Sequence, residues 1–235
     1  MARRLALVLT CALLALARPA VAAEGDAPTL GTPTFIPDSA ISVDIAVEVA
    51  PHNAETQVYV EYVTAGAYRR VPGAATTVFI ATVNGPEGSA VVVTGHVGEL
   101  EPGSTYRMRV KASNTGGETL GSDVIVKTPA APKTSFKAKV GKKTTKLTTL
   151  VVSGLLGTGG EAVQLTCRTA SRGCPFRNRT IVNLDGGTLV LTRQLKTSPL
   201  EPGAKVAVIV SSDGTRLTTL TLKIRDGQQP KVTRG

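Results

Sequence analysis

The chain has no tryptophan, and aromatic side chains make up only 3% of its 235 residues. A core of stacked rings is therefore excluded, and the buried volume must come from Val, Leu, Ile and Ala, with Thr-rich β surfaces around it. Histidine is almost missing too, at two residues. With so few, and with no carboxylates paired in matching turns, acid–base and nucleophilic chemistry has few candidates. Ser153-Gly154 lacks the preceding Gly of a nucleophile elbow. Gly141-Lys142-Lys143 lacks the hydroxyl that should follow the Lys, and Phe136 stands where a phosphate loop needs Gly. No catalytic residue is identified, no cofactor is implied, and a non-enzyme is expected.

Long apolar runs are also lacking. The longest, Leu5 to Ala17, is about 13 residues, short of the ~20 a spanning helix needs. Arg3-Arg4 precede it and Ala20-Val21-Ala22 follow, which makes residues 1–23 a secretory signal with cleavage after Ala22 or Ala23. Cys11 lies inside the apolar run behind Thr10, a poor setting for lipid attachment. The expectation is export: a secreted protein, or one held at the cell surface by contacts and not by a transmembrane segment.

Cysteine is scarce as well. Beyond the leader only Cys167 and Cys174 remain. In an exported chain such a pair is read as a disulfide, and closing a loop of about eight residues contributes ~2.5 kcal/mol on a chain-entropy account. Zinc would need two more ligands, and His52 and His96 lie in the other half of the chain, so no metal site is expected.

Acidic charge is short on one side only. Residues 24–132 hold 6 Lys/Arg against 12 Asp/Glu, whereas 133–235 hold 18 against 5. A module of net charge −6 is thus joined to one of +13, and the leader supplies the other three charges of the total +10. Such a split points the second half toward an anionic partner such as a wall polymer, nucleic acid or lipid headgroups. It also has a plainer explanation, in which Lys and Arg simply solubilise a Thr/Val-rich β surface.

What the chain does have is alternation. Ile41, Val43, Ile45, Val47 and Val49 alternate with polar residues. In Leu100–Gly117 (LEPGSTYRMRVKASNTGG), Tyr106, Met108, Val110 and Ala112 share one face, and Arg107, Arg109 and Lys111 share the other. This period of two marks half-buried strands, and 24 Gly and 14 Pro supply turns for an all-β chain. The basic row on the outward face needs no ligand, because Glu61 and Tyr59 on the neighbouring strand can pair with it and stack on it. No Arg-Gly-Asp occurs.

Leu100, Pro102, Gly103 and Tyr106 form the pattern of a tyrosine corner, in which the phenol hydrogen-bonds back across the turn. With the Pro51-His52-Asn53 turn and the Tyr59-Val60-Glu61-Tyr62 strand, residues from about 30 to 128 resemble the bacterial branch of fibronectin type III domains. The resemblance departs at the core Trp, whose volume the Val-rich strand and Tyr62 must fill. After Thr128-Pro129-Ala130-Ala131-Pro132, strands are predicted at 135–140, 147–153, 162–168, 180–184, 188–195, 205–211 and 217–225. A strand ending in Cys167, then Cys174-Pro175, then Leu200-Glu201-Pro202-Gly203 before a Val/Ile strand, resembles a small β module that closes secreted actinobacterial proteins. That resemblance implies architecture and compartment only.

The expected fold is all-β: a fibronectin type III (immunoglobulin-like) β-sandwich, then a second small β-sandwich or barrel. The expected division is leader 1–23, domain 24–128, linker 129–132 and basic domain 133–235. The expected function is a non-catalytic extracellular interaction or spacer protein. The alternative is a surface protein whose basic half binds cell-wall polymer or another polyanion. Lys137, Lys139, Lys142, Lys143, Lys146, Arg168, Arg172, Arg177 and Arg179 are the candidate contacts. With Phe136 and Phe176 the only aromatics among them, sequence-specific nucleic-acid reading is not expected.

Overall fold

The computed structural model describes residues 25–71, 74–182, 184–195 and 199–235. The leader expected over 1–23 lies outside the described residues. The first half contains β1 (Thr29–Leu30), β2 (Thr34–Ser39), β3 (Ser42–Ala50), β4 (Thr56–Thr64), α1 (Ala65–Arg70), β5 (Thr76–Val83), β6 (Val91–Val97), β7 (Thr105–Asn114), β8 (Gly117–Leu120) and β9 (Val124–Lys127). In one sheet β3 pairs with β1 and β2 on one side and with β6 on the other. In the facing sheet β4 lies between β5 and β7, and β7 pairs in turn with β8 and β9. Every pairing is antiparallel. A central β3 flanked by β1 and β2 on one edge and β6 on the other, packed on a β5-β4-β7-β8/β9 sheet, is the strand order of a fibronectin type III, immunoglobulin-like sandwich.

The alternation places the core. Val43, Ile45, Val47 and Val49 of β3 are buried and meet Val58 and Val60 of β4 and Met108, Val110 and Ala112 of β7. Each such side chain contributes ~1.5–3 kcal/mol of transfer free energy. Where a Trp is missing, Tyr62 meets buried Tyr106 edge-on, with ring centres 5.9 Å apart. The short helix α1 was not anticipated: the apolar pattern around it is too brief to show a helical period, and its start is fixed by Thr64, whose hydroxyl accepts the Ala67 N–H at 3.1 Å.

The second half contains β10 (Lys133–Val140), β11 (Thr145–Leu155), β12 (Glu161–Arg168), β13 (Asn178–Ile181), β14 (Gly187–Val190), β15 (Lys205–Ser212), β16 (Thr215–Arg225) and β17 (Gln228–Arg234). A β10-β11-β14 sheet packs on a β13-β12-β15-β16-β17 sheet. Leu150 and Val152 of the first and Leu165, Val208, Leu220 and Leu222 of the second fill one core. This is a second sandwich, and it shares no strand with the first.

Three details differ from the strands read in the sequence. The strand expected over 188–195 ends at Val190, and Thr192–Leu195 coils into a 3-10 turn in which Thr192 Oγ1 accepts the Leu150 N–H at 2.7 Å. The strand expected over 180–184 runs instead from Asn178 to Ile181. β17 was not expected, because Gln228-Gln229-Pro230 reads as coil; as an edge strand it tolerates proline, and Pro230 is buried.

Candidate polyanion-binding faces

Both Leu-x-Pro-Gly turns start a strand, and both are held from outside the turn. In the first, Leu100 is buried, Gly103 has φ +69° and donates its N–H to Pro129 O at 2.8 Å, and the Glu101 N–H donates to Tyr106 Oη at 2.7 Å. In the second, Gly203 has φ +93° and donates to Ile224 O at 2.9 Å. Val206 stands where the phenol would be, and the Glu201 N–H donates instead to Arg172 O at 3.0 Å. Arg172 also donates a guanidinium hydrogen bond to Pro202 O. The structure joins Cys167 to Cys174 by a disulfide with Cα atoms 5.4 Å apart, and Arg172 sits on the 3-10 turn (Ala170–Arg172) inside that loop. Arg172 is thereby engaged in holding the turn.

The basic row of β7 is matched base for acid. Arg109 donates from Nε (2.8 Å) and Nη2 (2.6 Å) to Glu61, directly opposite it on β4. Arg107 reaches Asp123 at 3.3 Å and Lys111 reaches Glu118 at 2.5 Å. Arg107 stacks on Tyr68 of α1, 4.2 Å from the ring centre, and not on Tyr59, which packs edge-on against Phe79 instead. The unanticipated helix supplies this partner. The charged residues that line the depression of about 330 Å³ over this row, Glu61, Arg107, Arg109 and Asp123, are in salt bridges with one another, although Arg107 Nε itself has no hydrogen-bond partner among the described residues.

The second sandwich is built differently. On the outward face of its five-stranded sheet, Arg168 of β12 lies directly opposite Lys205 of β15, Lys205 opposite Lys223 of β16, and Lys223 opposite Lys231 of β17. All four are exposed. Neighbouring strands are ~4.8 Å apart, so the row crosses about 14 Å of sheet. Arg177 and Asn178 border the same face beside Arg168, around a depression of about 490 Å³ that Gln164 and Thr166 also line. The next rank along the strands is Thr166, Ala207, Thr221 and Thr233. Like charges set directly opposite one another destabilise a sheet unless something neutralises them.

Among the described residues of the sandwich, no salt bridge does so. The eight strands β10–β17 hold a single acid, Glu161. It is 4% exposed, and its Oε2 accepts the N–H groups of Leu156 and Gly157 at 2.9 and 3.0 Å. Among the described residues, every salt bridge lies between positions 38 and 123.

The sequence candidates therefore separate into three groups. Arg168 and Arg177 lie on the face with the cation row. Arg172 and Arg179 are exposed but already engaged by neighbouring groups, the former with Pro202 O, the latter stacked 4.8 Å from the Phe176 ring centre and donating to Gln194 Oε1 at 2.5 Å. Lys137, Lys139, Lys142, Lys143 and Lys146 lie on the β10–β11 hairpin, on the other sheet. Lys205, Lys223 and Lys231 were missed, because they are scattered through the sequence and only strand register aligns them. The available signal was their shared place in the pattern, each the polar residue next to an inward Val or Ile.

A cluster that could offer cation ligands is Asp38, Asp44 and His96, with ligand atoms within 4.8 Å of one another. Two of the three are exposed, and His96 Nδ1 is already hydrogen-bonded to Asp44 at 3.0 Å. Among the described residues, no helix is long and apolar enough to cross a membrane.

No family model matches the chain, and no curated protein matches it in sequence. Among solved structures it is similar to the sensor domain of the anti-sigma factor RsgI4 of Pseudobacteroides cellulosolvens, with 15% identity over 44% of this chain and 74% of that one and a TM-score of 0.32. It is also similar to the FN1–FN3 domains of chicken CNTN1, with 14% identity over 86% of this chain and 66% of that one and a TM-score of 0.31. At such scores the fold assignment rests on strand order and register, not on these likenesses.

Proposed function

We propose that this is an exported, non-catalytic binding protein, organised as domain 24–128, linker 129–132 and domain 133–235. Its basic second sandwich grips an anionic cell-surface polymer and presents the fibronectin-like sandwich as an interaction or spacer module. The observation that carries the reading is the row Arg168–Lys205–Lys223–Lys231, directly opposed across four strands with no outward acid on the sheet. A fold that pairs each base of β7 with an acid, yet lines up four bases without one, fits a partner that brings the negative charge. Export is supported by the disulfide, which persists in oxidising compartments, and by the composition of residues 1–23.

The test is co-sedimentation of the mature chain with purified cell wall from about 50 to 500 mM salt, since charge-driven affinity falls steeply across that range. Retention at low salt that is lost at high salt, and is weakened by Lys205→Glu with Lys223→Glu, is the expected result. A chain that stays in the supernatant at the lowest salt overturns the polyanion reading and leaves the spacer.

A further inference from the structure

The β10–β11 hairpin carries a second group of cations on the opposite side of the same sandwich. Lys139 lies directly opposite Lys146, and Lys137 is two residues along on the same face. Lys142 and Lys143 occupy the connecting turn, which is closed by the Gly141 N–H to Thr144 O at 2.7 Å. All five are exposed, and β10, β11 and β14 contain no Asp or Glu. The inward residues of both sheets fill one core, so their outward residues point away from each other.

We infer that the second sandwich has two separate anion-binding faces, the four-cation row and the hairpin lysines, and bridges two polyanion chains. This rests on the polyanion reading above and extends it from one contact to two. Packed sheets lie ~10 Å apart before the length of outward side chains is added. The two groups are therefore further apart than the ~8 Å Debye length of physiological salt, and each acts on its own ligand. The connection between them runs from Leu200, bridged to Thr145 of β11, to Lys205 of β15, and it carries the exposed acid Glu201. An acid, not a further base, thus lies along this connection between the two groups. With neither face holding a planar stacking platform, the ligand chemistry that fits both is a flexible chain of repeated anions.

Inorganic polyphosphate is the probe. Calorimetric titration of the mature chain with short-chain polyphosphate is expected to give two chains per protein. Particles coated with long-chain polyphosphate are expected to cluster in dynamic light scattering. Lys205→Glu with Lys223→Glu, and separately Lys139→Glu with Lys146→Glu, should each leave one bound chain and abolish clustering; the four changes together should abolish binding. One chain per wild-type protein, or clustering that survives in either pair of variants, overturns bridging while the polyanion reading stands. No binding to polyphosphate, together with no retention on cell wall, overturns both.

Discussion

The Glu101 and Glu201 N–H groups are each left without a strand partner by a Leu-Glu-Pro-Gly turn, and a half-buried donor without an acceptor is costly. At Glu101 the acceptor is the Tyr106 phenol; at Glu201 it is the carbonyl of Arg172. Tyr106→Phe keeps the ring in the core and removes that acceptor, so urea unfolding should show a loss of about 1 kcal/mol. The same residue sets a pH dependence. Burial pushes the Tyr106 phenol above its ordinary value near 10, outweighing the Glu101 N–H, which favours the phenolate. The folded state thus holds this proton to higher pH than the unfolded chain does. Its contribution is complete below pH ~10 and is lost as pH rises through the folded value. The alkaline fall in stability should be shallower in Tyr106→Phe, and equal slopes would remove the phenol as its source. Arg172→Ala removes the side-chain bond to Pro202 O but keeps the backbone acceptor. It should cost about 1 kcal/mol and leave cell-wall retention unchanged; a matching loss of retention would move Arg172 into the binding surface.

At the scale of elements, the disulfide loop and the cation row pull in opposite directions. Replacing Cys167 and Cys174 by Ala opens a loop of about eight residues and should cost ~2.5 kcal/mol in chain entropy, measured by urea unfolding of the second sandwich. The row Arg168–Lys205–Lys223–Lys231 repels itself, so Lys223→Thr should raise the melting temperature at low salt, with the difference shrinking as salt screens the wild type. Alternation made most strands legible in the sequence, because period two is written in single residues such as Val43, Ile45 and Val47. The tyrosine corner and the cysteine pair were legible for a similar reason, since each is a local motif. The cation row was not, because Lys205, Lys223 and Lys231 become neighbours only through the pairing of three hairpin strands. β17 was hidden by Pro230, which the edge position makes harmless, and α1 by its six residues.

At the scale of the whole molecule, the chain carries its own reporters for the two sandwiches. All four tyrosines, at positions 59, 62, 68 and 106, lie in the first, and there is no tryptophan anywhere. Tyrosine fluorescence therefore follows the unfolding of the first sandwich alone, while far-UV circular dichroism follows both. An anion that binds only the folded second sandwich stabilises it by about 2.7 kcal/mol at a hundred times its dissociation constant. The first sandwich has net charge −6 over residues 24–132 and its β7 bases already paired, so only the scattered Arg69, Arg70 and Lys127 face such a ligand, against an excess of acids. Adding polyphosphate should move the circular dichroism transition upward and leave the tyrosine transition where it was. If the tyrosine transition rises with it, the ligand is held by the first sandwich as well, and the charge split along the chain does not divide its binding from its display.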